Sequence, residues 1–269
     1  MCELMAAGET ILLFDSGLGG LTVYREIAAA RPSADFVYVA DDAAFPYGAM
    51  AEPALTQRVV ELMGDLIGRY RPGLVVIACN TASTIVLPHL RQRFSLPFVG
   101  TVPAVKPACA SSVTKHISVL GTEATVKREY TRALIRDYAA DCKVTLVGSK
   151  KLATYAEAEI AGTPVSDALI SAEIGPCFRD DGARTDMVVL ACTHYPLLIE
   201  RFSRLAPWPV SFVDPAPAIA RRVGDLLGPP PLATGRGTTR AVFTSGRYPA
   251  EALMRFGIRA DQPVSTAAG

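Results

Sequence analysis

Two cysteines stand out by what surrounds them. Val75-Val76-Ile77-Ala78-Cys79-Asn80-Thr81 is echoed by Val188-Val189-Leu190-Ala191-Cys192-Thr193-His194, an apolar run ending in Ala-Cys and continuing into polar residues. A thiol does chemistry as the thiolate, which a helix N-terminus or a neighbouring protonated histidine favours. If helices open at Asn80-Thr81 and Thr193-His194, their free N–H groups would also bind a carboxylate. One strand-end cysteine is ordinarily a small buried hydrophobe. The same arrangement twice, at 79 and 192, points instead to two acid/base groups facing each other across a cleft.

His194 is one of three histidines, and beside Cys192 it can exchange a proton with the thiol or pair with the thiolate. Cys-x-His can open a metal site, but no second Cys-x-x-Cys or His-x-x-x-His motif supplies further ligands, so metal is not expected. Asp15-Ser16-Gly17-Leu18-Gly19-Gly20 fits neither common nucleotide-loop spacing. It reads either as an anion-accepting turn or as a tight strand-to-helix turn. Asp15 itself is well placed to act on a thiol or on a substrate ammonium. Phe45-Pro46-Tyr47-Gly48 is a turn able to cover a small ligand with backbone and hydroxyl groups.

These residues need strands to carry them. Apolar or β-branched runs predict strands at Thr10–Phe14, Asp35–Val39, Leu74–Ala78, Phe98–Thr101, Ile117–Leu120, Lys143–Val147, Met187–Ala191, Val210–Val213 and Arg240–Thr244. Between them lie helical patterns. Pro53–Tyr70 carries Leu55, Val59, Leu62, Met63 and Leu66 at helical spacing, and Thr122 should cap a helix burying Val126, Tyr130, Leu134 and Tyr138. Thr163-Pro164 and Asp214-Pro215 read as caps followed by a first-turn proline. Pro229 to Thr239 reads as a surface connection. Alternation of this kind predicts parallel, doubly wound α/β architecture, with functional groups beyond the carboxyl ends of the strands.

Composition sets the outer bounds. A chain of 269 residues with 27 Lys+Arg against 26 Asp+Glu gives no reason to expect nucleic acid or an acidic membrane as partner. No apolar stretch is long enough to span a bilayer, and MCELMAAGET does not read as a secretory signal. The six cysteines show no small-domain framework, which predicts free thiols in a reducing, cytoplasmic setting. Cys2, Cys109, Cys142 and Cys177 read as core or surface residues.

Phe14-Asp15-Ser16-Gly17-Leu18-Gly19-Gly20-Leu21-Thr22-Val23, Phe45-Pro46-Tyr47-Gly48, Ala78-Cys79-Asn80-Thr81-Ala82 and Cys192-Thr193-His194-Tyr195-Pro196-Leu197 stand in the order seen in bacterial glutamate racemases. Val213-Asp214-Pro215-Ala216 and Phe243-Thr244-Ser245-Gly246 resemble that family's C-terminal motifs, so the likeness runs from about Ile11 to Arg259. It implies two similar doubly wound (flavodoxin/Rossmann-like) α/β domains with a pseudo-twofold relation and the active site in the cleft between them. The first would be 1–100 plus 208–269, the second 101–207. It also implies a cofactor-free racemase of glutamate that supplies D-glutamate for peptidoglycan and works as a cytoplasmic homodimer. Cys79 would take the α-proton of the D-enantiomer and Cys192 that of the L-enantiomer, assisted by Asp15 and His194 respectively. Asp15, Ser16, Tyr47, Gly48, Asn80, Thr81, Thr193 and His194 would hold the substrate.

There is one departure. The family's cysteine and proline are absent from the stretch Gly148 to Glu157, which leaves Glu157 either a site carboxylate or an exposed helix glutamate. Rival readings keep the fold with another substrate (aspartate, a hydantoin, maleate), or a binding protein without turnover. A hydrolase using one thiol would leave the second unexplained.

Overall fold

The computed structural model describes residues 9–230 and 235–258. Nine strands appear where the apolar runs predict them: β1 Thr10–Asp15, β2 Asp35–Ala40, β3 Leu74–Ile77, β4 Phe98–Gly100, β5 His116–Thr122, β6 Lys143–Ser149, β7 Met187–Ala191, β8 Ser211–Val213 and β9 Thr239–Phe243. They form two sheets, β4-β3-β1-β2-β9 and β6-β5-β7-β8, parallel throughout. Helices α1 Leu21–Ala30, α2 Glu52–Tyr70 and α3 Asn80–Arg93 belong to the first sheet. The second carries α4 Val105–Ser111, α5 Glu123–Lys127, α6 Glu129–Tyr138, α7 Leu152–Ile160, α8 Asp167–Ile174 and α9 Ile199–Leu205. The chain then returns through α10 Ala216–Leu227, which packs on α1, and ends its described part with α11 Ala250–Met254.

The internal repeat seen in the sequence is a repeat of topology. Omitting β9, the first sheet runs β2-β1-β3-β4 and the second β6-β5-β7-β8, the same order in both. This is the flavodoxin-like order, whose ligand crevice lies at the carboxyl ends of its first and third strands. The third strands are β3 and β7, the ones that lead to Cys79 and Cys192. Alternation along β1 sends Ile11 and Leu13 into one buried layer with α1 and α10, and Leu12 and Phe14 into the other with α2 and α3. Both faces are covered, which is why these strands are apolar throughout.

Several expectations need correction. Because β8 pairs with β7, the chain leaves the second sheet after Val213, not at residue 208. The helix capped by Thr122, whose hydroxyl accepts from Thr125 N–H, breaks at Arg128 into α5 and α6. That break turns Tyr130 and Tyr138 to solvent, while Thr131 is buried, its hydroxyl donating to Thr125 O. Ser166, rather than Thr163-Pro164, caps α8. Pro215, not Asp214, is the N-cap residue of α10, and Asp214 just before it accepts from Ala216 N–H. Cys109, on the last turn of α4, and Cys142, just before β6, meet at one end of the second sheet and form a disulfide. The reading of all cysteines as free fails at this pair, whereas Cys79, Cys177 and Cys192 are free and buried. Cys2 and part of the Pro229–Thr239 connection lie outside the described residues. Among the described residues no helix is long and apolar enough to cross a membrane.

Candidate active site

The carboxyl ends of the two sheets face each other and enclose a small cavity. Ser16, Phe45, Pro46, Tyr47, Gly48, Cys79, Asn80 and Thr81 line it from the first domain, and Thr122, Ala153, Cys192, Thr193 and His194 from the second. Its volume is about 20 Å³, room for a water molecule but not for an amino acid. A larger ligand would fit only if the lining moved apart.

Cys79 lies two residues beyond β3 and is the N-cap of α3, so the helix expected at Asn80-Thr81 begins there. Burial pushes its thiol well above the usual range and the nearby Asp15 charge adds to this, while the Ala82 N–H and Ser16 hydroxyl work the other way. Ser16 Oγ stands 3.8 Å from the sulfur. At neutral pH Cys79 is a thiol.

Cys192 has different neighbours. The chain beyond it forms a short 3-10 turn, Tyr195–Leu198, rather than an α-helix, and the thiol's partner is His194, with Nδ1 3.8 Å from Sγ. The other ring nitrogen, Nε2, lies 2.6 Å from Glu157 Oε1. Burial opposes the imidazolium, but Cys192 and Glu157 together hold the His194 pKa well above its ordinary 6.5. Glu157 responds in kind. Burial works against its charge, yet the bond and charge of His194 and the Leu18 N–H leave its pKa below normal. The pair is an imidazolium and a carboxylate, and the imidazolium donates from Nε2 to Glu157 and from Nδ1 toward sulfur.

Asp15 is fully buried at the end of β1. Its carboxylate accepts from Gly17 N–H at 3.0 Å and from the Thr193 hydroxyl at 3.0 Å. Burial nevertheless raises its pKa above the ordinary value. The glycine run beside it is a tight strand-to-helix turn whose N–H groups are taken by the protein's own carboxylates, Gly17 N–H by Asp15 and Leu18 N–H by Glu157 at 2.6 Å. A Cβ at Gly19 would sit 2.5 Å from His194 Nδ1, and one at Gly17 would overlap Glu157 Oε1. These glycines let one domain's backbone touch the other's side chains.

The predicted site residues line this cavity except Asp15, which lies behind it bonded to Thr193, and one of them changes role. The Tyr47 hydroxyl donates to Asp41 at 2.5 Å, so Tyr47 offers the cavity its ring and backbone rather than its hydroxyl. Thr81 and Thr122 share a hydroxyl contact of 3.0 Å across the seam. Asn80 is buried and both polar atoms of its amide lack a partner, which fits a group that hydrogen-bonds a ligand. Glu157, left undecided by the sequence, does not line the cavity but pairs with His194, which does.

Comparison with known proteins agrees with this geometry. The Asp/Glu/Hydantoin racemase family model matches residues 13–223. The chain is 58% identical over 225 residues to the glutamate racemase of Brucella anthropi, covering 83% of this chain and 81% of that one. Among solved structures it matches Escherichia coli glutamate racemase, crystallised with L-glutamate and the activator UDP-MurNAc-Ala, at TM-score 0.85 and 39% identity, covering 94% and 96% of the two chains. A glutamate racemase isoform of Bacillus anthracis matches at TM-score 0.81 and 26% identity, covering 97% and 99%. Two matched α/β domains with a thiol at the third strand of each thus accompany similarity along nearly the whole chain, and the chain belongs to the Asp/Glu/hydantoin racemase family of isomerases, among its glutamate racemases.

Proposed function

We propose that the chain interconverts L- and D-glutamate without a cofactor, by proton transfer between two thiols on opposite faces of the α-carbon. The observation that carries this reading is the position of Cys79 and Cys192 after topologically equivalent strands, β3 and β7, lining one cavity. From L-glutamate, Cys192 as thiolate takes the α-proton, and the Cys79 thiol then delivers its own to the other face of the resulting carbanion. From D-glutamate the roles exchange. His194, held by Glu157, steadies the charge on Cys192, and Asp15 serves Cys79.

The α-proton is a very weak acid, so the barrier falls mainly through fixed donors and the exclusion of water. Helix α3 directs its N-terminal N–H groups into the cavity, and Asn80, Thr81, Ser16, Gly48 and Thr193 supply further polar contacts for the carboxylates and ammonium. Asn80's unpartnered amide and the cavity's closure by both domains support a small, doubly anionic substrate. D-glutamate made this way would feed bacterial peptidoglycan synthesis in the cytoplasm, and the family resemblance supports a homodimer.

The test is purified, reduced protein with L-glutamate in heavy water, with EDTA and no added cofactor, following optical rotation and α-hydrogen loss together. Inversion accompanied by deuterium incorporation is expected. Folded protein giving neither would sink the proposal, and activity lost to EDTA or to a carbonyl reagent would sink its cofactor-free part.

A further inference from the structure

The turn after β2 belongs to the first domain by its anchors and to the second by its tip. The anchors are strong. Asp41, fully buried, accepts from Arg58 Nε and Nη2 at 2.6 Å each, from Tyr47 at 2.5 Å and from the Thr244 hydroxyl at 2.7 Å. Next to it, Asp42 accepts from Ser245 N–H at 2.8 Å. Between these fixed points stands Phe45, and its ring leaves the first domain. It packs against the second domain's core, lines the cavity, and lies 5.3 Å from the His194 ring, centroid to centroid, at an interplanar angle of 47°. Gly17 leaves room beside it, since a Cβ there would come within 3.2 Å of the Phe45 ring.

From this arrangement we infer that Phe45 is a positioning residue, pressing the His194 imidazole toward Cys192 when the domains close. This role rests on the two-thiol reading. An aromatic ring against an imidazolium adds attraction as well as packing, and its hydrocarbon keeps water from the seam. The effect is one-sided, because the ring that Phe45 packs against belongs to His194, the partner of Cys192.

One-sidedness makes the role testable. L- and D-glutamate have equal free energy in water, so kcat/KM must be the same in both directions for any variant. A defect at Cys192 therefore shows in isotope effects. In Phe45→Leu, proton removal by Cys192 becomes more rate-limiting. The deuterium effect on kcat/KM should rise for L-[2-²H]glutamate and fall toward one for D-[2-²H]glutamate, with kcat lowered about two- to tenfold. Phe45→Tyr, which keeps the ring, should match wild type, and Phe45→Met takes the place of the leucine variant if that does not fold. Isotope effects that stay unchanged, or shift alike for both enantiomers, overturn the role of Phe45 while leaving the two-thiol reading intact. Wild-type protein that fails to racemise glutamate in the same assay overturns both.

Discussion

Glu157→Gln isolates the ion pair that the site depends on. In the folded protein the carboxylate is 2.6 Å from His194 Nε2 and accepts from Leu18 N–H at 2.6 Å; glutamine keeps an acceptor oxygen but no charge. Breaking a buried ion pair costs about 3–5 kcal/mol. The Glu157 side chain is 22% exposed against 2% for His194, so solvent screens part of this and about 2–3 kcal/mol is the expected loss. For a chain of this size that is about 5–10 °C in Tm.

The pH dependence carries the signature. The His194 pKa is raised above 6.5, so its contribution is complete below 6.5 and lost as pH rises through the folded value. The Glu157 pKa is lowered below 4.5, so its contribution is complete above 4.5 and lost as pH falls through the folded value. The Tm gap between wild type and variant should accordingly be widest from pH 4.5 to 6.5 and narrow on both sides. In activity, the alkaline limb of kcat for L-glutamate should move to lower pH, because the imidazolium loses its counter-charge. Calorimetry across pH and polarimetric kcat profiles read both effects. A Tm loss equal at every pH, with an unmoved alkaline limb, would refute the ion pair.

Three further perturbations probe the rest of the site and the fold. Cys79→Ser and Cys192→Ser should each lower net racemisation by about 10³-fold or more. In each variant the remaining thiol should still exchange one enantiomer's α-hydrogen in heavy water, and near-wild-type inversion in either would refute the two-base assignment. Gly19→Ala puts a methyl 2.5 Å from His194 Nδ1 and 2.6 Å from Thr193 Oγ1, so closure should fail and kcat/KM drop about 10²-fold; unchanged kinetics would show that the seam does not close as described. Cys142→Ser opens a disulfide spanning 33 residues, a cost of about 3.7 kcal/mol by loop entropy. The variant should melt lower than wild type without reductant and level with it in dithiothreitol, while equal melting in both would mean the bond does not form.

The strands were legible because each is an apolar or β-branched run between turn residues, and Leu74–Ile77 and Met187–Ala191 are buried as their composition requires. The echo of Ala-Cys was equally legible, and it marked equivalent strands of two like-ordered sheets. What sequence could not display was the seam. Glu157 and Leu18 are 139 positions apart and Thr193 and Asp15 178 apart, and no local pattern announces such pairings. Gly17 and Gly19 looked like turn residues because their other role, admitting Glu157 and His194, exists only when two domains meet. Tyr130 and Tyr138 had the spacing of a buried stripe, but that spacing presumes one continuous helix, and the break at Arg128 rotates them out. Cys109 and Cys142 resembled ordinary core thiols until α4 and β6 were set side by side.

The two halves are alike in topology but not in the way they treat their thiols. Cys79 sits at the N-terminus of a helix with a carboxylate, Asp15, nearby. Cys192 has no α-helix behind it and instead faces an imidazolium held by Glu157. Burial, with the Asp15 charge behind it, raises the Cys79 thiol, whereas the polar neighbour of Cys192 is a histidine ring 3.8 Å from its sulfur. A racemase working from either enantiomer needs one protonated and one deprotonated thiol at every encounter. An arrangement with two identical surroundings would leave which thiol carries the proton unspecified. Here the surroundings differ, and on the proposed two-thiol mechanism that difference gives each thiol its own set of polar neighbours: the α3 N-terminus, Ser16 and Asp15 for Cys79, and His194 with Glu157 for Cys192.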